Sequence, residues 1–443
     1  TCSEEGSLIV SFVGYQTSTI PVNNQSVINI QMALDLESLE EVVVIGYGTA
    51  KRKDLTGAIA SVDMDRTRAL PNINVAQSMR GTIAGVTVTD TGRPGSDPII
   101  RIRGINSITA SNDPLIVLDG VIYRGGSLSD INPGDIESID ILKDASSTAI
   151  YGSLAANGVI EITTKKGTTE KPNFSFNSYY GFADYAHIPQ YLDAEKYLAN
   201  RLAAEEADGG PLPFQPIEQE NIDAGRSIDP FEAIRQDAPI YNGELSVSGR
   251  TGDINYLISG SYLNSKSPVA GDVFSRISGR LNLDVQATDW ISIGLNSGYS
   301  VRDDGGFRAN LLSTSYLSPF ASLYYDDGVP RVQPADQSLG GSPIIDTELN
   351  DIDRKRKILF VNTYADVLLP LKGLSYRLNV GYTQNNYHDF QYDPSYDRDG
   401  FTSQGSGQKR YSESRNLTLE NIVKFSREFG VHSLNATLMY GIY

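Results

Sequence analysis

The chain has 443 residues, a net charge of −17 and a mean hydropathy of −0.25. That balance offers nucleic acid no basic face. Three scattered histidines (His187, His388 and His432) and the single Cys2 supply neither zinc-ligand spacing nor an internal disulfide, so no metal and no cofactor are expected. No run reaches the ~20 apolar residues of a membrane-crossing helix, but barrel strands escape that test because only alternate residues meet lipid.

Residues 7–33 read as short alternating strands, with Leu8, Val10 and Phe12 on one face and then Ile28, Ile30 and Met32 on one face of a later strand; they are too few to bury a core. An acidic stretch from Asp35 follows, then Glu41, Val42, Val43, Val44, Ile45, Gly46 and Tyr47, then Lys51-Arg52-Lys53. A β-branched run bounded by glycine and flanked by opposite charges predicts a strand with nothing obvious beside it to pair with. It is either a linker strand tucked against the next domain or a segment whose backbone is added to a partner's sheet edge.

Residues 54–167 read as a compact α+β unit. A helix is expected over 74–81 and strands over 86–89, 99–104 and 114–121. Ile139 and Ile141 begin another strand, Asp144 caps a short Ala/Ser helix ending at Gly152, and residues 159–163 alternate as a closing strand. Arg101 and Arg103 fall on one side of their strand. They either face carboxylates on an enclosing wall or form a solvated face.

From Asn173 onward the pattern is of paired alternating segments: 174–185, 240–250, 254–263, 274–287, 290–301, 357–369, 373–386, 410–427 and 431–443. Arg276, Ser278, Arg280, Asn282 and Asp284 share one face of the fourth, whereas Ile277, Leu281, Leu283 and Val285 share the other. Tight turns at 251–252, 288–289, 371–372 and 428–429 alternate with long connections at 186–239, 264–273, 302–356 and 387–409, the rule of outer-membrane barrels. Residues 194–206 should form a helix over the rim or toward the lumen. Asp393, Asp397, Asp399 and Gly400 suggest a calcium loop but lack its full spacing, so a solvated acidic turn is preferred. A barrel wide enough to surround a unit of more than a hundred residues takes about 22 strands. Nine strands are therefore expected to form an open wall with two free edges, and the chain reads as an internal fragment of a longer exported protein.

Several phrases resemble one family. Ser11-Phe12-Val13-Gly14-Tyr15-Gln16-Thr17 is similar to the end of a carboxypeptidase-regulatory-like β-sandwich; Arg101-Ile102-Arg103-Gly104, Leu118-Asp119-Gly120-Val121 and Lys143-Asp144-Ala145-Ser146-Ser147-Thr148-Ala149-Ile150-Tyr151-Gly152 are similar to the plug of SusC/RagA-type TonB-linked outer-membrane transporters. Ala238-Pro239-Ile240-Tyr241-Asn242 and Arg280-Leu281-Asn282-Leu283 resemble that family's first barrel hairpins. Leu154 stands where members often carry arginine, which puts an ion pair there in doubt but not the fold. The resemblance runs through essentially the whole chain in family order. It implies the end of a sandwich over 1–34, a TonB box and linker over 35–53, a plug over 54–167 and the first part of a transmembrane antiparallel β-barrel over 168–443. Glu41 to Tyr47 would bind TonB.

The resemblance further implies active import of oligosaccharides or peptides across a Gram-negative outer membrane of Bacteroidetes type. The TonB–ExbB–ExbD complex would drive it, a SusD-like surface lipoprotein would serve as lid, and no enzymatic step would be needed. A signal transducer would keep the barrel and add a signalling domain before the sandwich. A TonB-independent adhesin or porin would tolerate loss of residues 42–45.

Overall fold

A computed structural model describes the chain except residues 1–6, 11–17, 22–27, 29, 31–41, 46–47, 52–58, 65–66, 68–72, 145–147, 189–190, 212, 336–340, 396–403 and 431. Near the start, β1 (Ser7–Val10) and β2 (Ser18–Pro21) pair antiparallel. The later strand expected around Ile28 and Ile30 is not formed there. Among the described residues no strand lies beside these two to take up their backbone hydrogen bonds.

β3 (Val42–Ile45) is a strand, as its composition demands, but it is not unpaired. It forms a hairpin with β4 (Gly48–Lys51), Val42 opposite Lys51 and Ile45 opposite Gly48. The sequence hid this partner because Gly-Thr-Ala-Lys carries no apolar alternation, although two intervening residues are the commonest hairpin loop. The other edge of β3 is hydrogen-bonded to no strand among the described residues, although β3 lies near the strand Ile136–Leu142 of the next unit. Glu41, Gly46 and Tyr47 lie outside them.

The α+β unit is built from β5 (Ile59–Ser61), α1 (Val75–Met79), the hairpin of β6 (Val86–Thr89) and β7 (Ile99–Ile102), the hairpin of β8 (Leu115–Leu118) and β9 (Val121–Ile122), β10 (Ile136–Leu142) and β11 (Val159–Thr164). Asn74 caps α1 by accepting from the Gln77 amide at 3.0 Å. The five-stranded sheet runs β5-β10-β11-β8-β9, with β8 and β11 parallel. Its strands lie between two layers and are buried on both faces, with the paired Asp140 and Glu161 set among the apolar residues of one. On one face, α1 and the β6–β7 hairpin enclose Val75, Met79, Val88, Ile100, Ile139 and Ile162. On the other, Val117, Leu142 and Val159 pack with Ile422 from the wall.

Of the Ala/Ser helix expected from Asp144 to Gly152, residues 145–147 lie outside the described residues; Thr148 is helical, its amide donating to the Asp144 carbonyl at 3.1 Å, and a 3-10 segment, Ala149–Ala155, continues through Gly152 at φ +58°. Glycine takes that left-handed value without strain, so it kinks the segment rather than ending it. The Asp144 carboxylate pairs with Arg103; the first residues of the helix it was expected to cap lie outside the described residues.

The wall is a nine-stranded antiparallel sheet in strict chain order: β12 (Asn173–Phe182), β13 (Pro239–Thr251), β14 (Ile254–Lys266), β15 (Val273–Thr288), β16 (Ile291–Asp303), β17 (Asp351–Leu368), β18 (Leu374–Asp393), β19 (Ser406–Phe429) and β20 (His432–Ile442). β12 and β20 do not pair with each other, so the wall is open, as expected. Crossing a membrane takes about 9–11 residues of a tilted strand, whereas β19 has 24. The strands β17 to β19 therefore run well past the hydrocarbon layer. Among the described residues no helix is long and apolar enough to cross a membrane.

The long connections gather at one end of the wall. α2 (Ala194–Asp208) and α3 (Pro216–Asp223) lie between β12 and β13; α4 (Leu311–Tyr316) and α5 (Ile345–Leu349) lie between β16 and β17. These connections share a core of their own, with Phe231, Ile234, Val269, Leu317 and Ile344 buried together. Backbone bonds stitch them: the Ala270 amide donates to Ile234 at 2.8 Å and the Ala309 amide to Ala270 at 2.9 Å.

Candidate functional site

Alternation along β15 places Arg276, Arg280, Asn282 and Asp284 against the α+β unit, hereafter the plug, and Ile277 on the exposed outer face. The predicted register is therefore the observed one. Across the plug–wall seam these side chains meet plug groups at three levels.

At the middle level, Asp119 and Gly120 turn β8 into β9 with φ of +50° and +80°. Asp-Gly favours a two-residue hairpin loop with positive φ at both positions. The turn presents the Asp119 carboxylate to the Thr164 amide at 2.8 Å, the Thr164 hydroxyl at 2.9 Å and Arg280 Nη1 at 3.3 Å. Arg280 Nε reaches Asp135 at 3.8 Å, and Asn362 of β17 donates to the Asp119 carbonyl at 3.1 Å.

Toward the long connections, Arg302 at the end of β16 is buried among plug acceptors. Its Nη1 lies 3.1 Å from Asp130 and 3.3 Å from Asp97, and its Nη2 donates to the Gly95 carbonyl at 2.7 Å. Beside it, Arg276 Nη1 donates to the Ser129 and Ile131 carbonyls at 2.8 and 3.2 Å. Burial works against charge on Asp97, but Arg302, hydrogen bonds from Ser127 and Ser129, and Arg356 together hold its carboxyl below the ordinary value. Asp130 shifts the other way: burial raises it, only partly opposed by Arg302.

Toward the tight turns, the plug's exit is anchored. Asn282 donates to Thr164 Oγ1 at 2.8 Å and the Lys165 carbonyl at 3.0 Å. Lys166 sits 3.0 Å from Asp284 and 3.1 Å from the Tyr364 hydroxyl, which itself bonds Asp284. The Tyr364 ring lies over Gly294, where any Cβ would overlap it.

The cations that bridge the seam are not the two expected from the plug strand. Arg101 and Arg103 do not reach the wall. β7 ends at Ile102 and Arg103 takes φ +60°, so the two no longer share a strand face. Arg101 pairs with Asp113 at 2.6 Å and Arg103 with Asp144, both plug carboxylates. At Arg280 and Arg302 the cation comes from the wall and the carboxylate from the plug, whereas Lys166 and Arg93 of the plug pair with Asp284 and Asp272 on the wall side. The legible signal was the Asp119-Gly120 pair, a turn marker whose outward aim no local pattern discloses.

Of the acidic loop, Asp393 is buried and accepts from Asn350, Gln391 and Ser406 at 3.0, 3.1 and 3.1 Å. Asp397, Asp399 and Gly400 lie outside the described residues. Among the described residues no three acidic, histidine or cysteine side chains are grouped to hold a metal ion.

The profile of the TonB-dependent Receptor Plug Domain matches residues 51–159. The chain is 36% identical over 369 residues to TonB-dependent receptor P26 of Formosa agariphila, covering 81% of this chain and 36% of that relative. It is 37% identical over 286 residues to TonB-dependent receptor SusC of Bacteroides thetaiotaomicron, covering 62% of this chain and 27% of that protein. The structure is similar to the RagAB peptide importer in its 'open-open' state, with a TM-score of 0.75, 25% identity and coverage of 90% of this chain and 48% of that one. The chain thus spans less than half the length of these relatives.

Proposed function

Because the chain belongs to the SusC/RagA type of TonB-dependent receptor, whose members are outer-membrane β-barrels, we propose that it supplies the plug and part of the wall of an active importer of oligosaccharides or peptides. The observation that carries this reading is the seam. Buried charge pairs and hydrogen bonds hold the plug to the wall at three levels, so opening a path for a large solute takes work that diffusion does not provide. Leaving one member of a buried ion pair uncompensated costs about 3–5 kcal/mol, which sets the scale for moving the plug off the wall. An energised partner pulling on the plug meets that cost.

The handle in this reading is Glu41 to Tyr47. β3 has an edge hydrogen-bonded to no strand among the described residues, and an edge is what strand addition requires. TonB, energised by ExbB–ExbD, would pair there after the β3–β4 hairpin opens. A SusD-like surface lipoprotein would sit on the packed long connections as lid. RagAB is a peptide importer, which keeps peptides beside oligosaccharides as cargo. The reading uses force and needs no covalent chemistry.

Replacing Val43 by proline in the full-length protein removes a backbone donor needed for strand addition. Uptake should be abolished while surface binding of substrate stays intact. Normal uptake by Val43→Pro would remove the TonB assignment and leave a TonB-independent porin or adhesin.

A further inference from the structure

A cleft of about 490 Å³ opens in the plug between the starts of β7 and β8 and the end of β9. That volume is within the range of small-ligand sites. Its position follows from the seam. Asp97, on its rim, meets Arg302 and Arg356 near the long-connection end of the wall, and the Gly125 carbonyl just beyond β9 accepts from Asn385 at 2.7 Å. β8 runs from the cleft toward Asp119, deeper in the seam. The cleft is therefore on the side of the plug that a solute arriving past the long connections meets first.

Its walls are aliphatic: Ile99, Leu115, Ile116, Ile122, Leu128 and Ile160. Three charges stand at its rim, and two are already matched. Asp97 is taken by Arg302 and Arg356, and Asp113 by Arg101 at 2.6 Å. The third, Arg124, has no carboxylate partner among the described residues; its Nε is buried without a hydrogen-bond partner, and its guanidinium lies 5.6 Å from the centre of the Tyr443 ring. Among the described residues the unmatched charge of the cleft is positive.

We infer that this cleft is a cargo site for the end of a peptide: a branched aliphatic side chain enters between Ile99, Leu115 and Leu128, and the free α-carboxylate pairs with Arg124. A sugar is a poor occupant. A hydroxyl group drawn between the aliphatic side chains loses its water, and the lining groups Asp97, Asp113 and Ser127 are already hydrogen-bonded within the protein. Tyr123, the aromatic ring among the described lining residues, is committed edge-on to Phe360 at 5.4 Å. An aliphatic side chain loses nothing there, and a carboxylate forms a charge-assisted bond with a guanidinium that now lacks one. The inference rests on the importer reading only for the side from which cargo arrives.

The test uses full-length protein in detergent and the probe Ala-Ala-photoleucine with a free carboxylate, cross-linked by light and mapped by mass spectrometry. Adducts should fall on the segments holding Ile99, Leu115 and Leu128. Two variants separate site from scaffold. Ile99→Trp, at a position 48% exposed, fills the mouth without entering the core and should abolish labelling. Arg124→Gln should lower labelling at least tenfold, and so should amidating the probe on unaltered protein. Labelling confined to other parts of the lumen, equal labelling of the variants, or no labelling at all overturns the inference. The outcome is separable from that for import. TonB-box-dependent uptake with no labelling of the cleft removes this site alone, and cleft labelling with Val43→Pro fully active removes the TonB reading alone.

Discussion

Arg302 and Asp130 meet at 3.1 Å with 2% and 1% of their side chains exposed, one from the end of a wall strand and the other from the plug. Neither charge has water to return to. Their mutual neutralisation is what makes both tolerable in that place.

Arg302→Ala should therefore weaken plug seating by about 3–5 kcal/mol, because Asp130 is left buried and uncompensated. Replacing both partners, as Arg302→Met with Asp130→Leu, should recover most of that loss. Denaturant midpoints of the full-length protein in detergent check this. A single variant as stable as the parent would mean that the pair is solvated in the complete barrel.

The same cluster should respond to pH through Asp97. Its folded-state value is depressed, so its contribution is fully present above 3.8 and is lost as pH falls through the lowered value. Asp130 is raised, so its contribution is present below 3.8 and disappears as pH rises through its folded value. Asp97→Asn should therefore destabilise the seam at neutral pH, and the gap from the parent should close on strong acidification. A gap that stays constant with pH would exclude a charged Asp97 as the cause.

Gly294→Val should displace the Tyr364 ring, which lies where the new side chain must go. The loss reaches Asp284 and Lys166, both bonded to that tyrosine. Overpacking of this kind costs about 1–3 kcal/mol. Limited proteolysis should show new cleavage around residues 165–172, where the plug joins β12. An unchanged cleavage pattern would mean that the exit is held by Asn282 alone.

On β15, Leu281→Arg should impair membrane assembly by about 2–4 kcal/mol, the cost of arginine on the lipid face at mid-membrane. Asn282→Arg should assemble but seat the plug poorly, since Asn282 donates to Thr164 and to Lys165. Heat-modifiability on gels separates assembly from seating. Equal assembly of the two variants would place both residues on one face, against the observed register.

The wall was legible along the chain because a strand between lipid and a wet lumen writes its own period of two. Arg276, Arg280, Asn282 and Asp284 follow it without exception. The plug's strands were legible as apolar runs bounded by glycine and acidic turns. The pairing of β3 with β4 was not, because Gly-Thr-Ala-Lys has no alternation to read.

The sequence by itself determined which residues of β15 turn inward, where the strands break, and that a β-branched run stands ahead of the plug. Each of these depends on neighbours a few residues apart, and the backbone period links them. Only the tertiary structure decided who meets whom across the seam. Arg280 and Asp119 are 161 residues apart, and Arg302 and Asp130 are 172 apart. Arg101 and Arg103 were the natural candidates because they were plug cations in a readable strand, yet a single positive φ at Arg103 ended that strand and nearby plug carboxylates took both. Local periodicity fixes the face a side chain occupies. The partner on that face is set by how two separately folded layers come together.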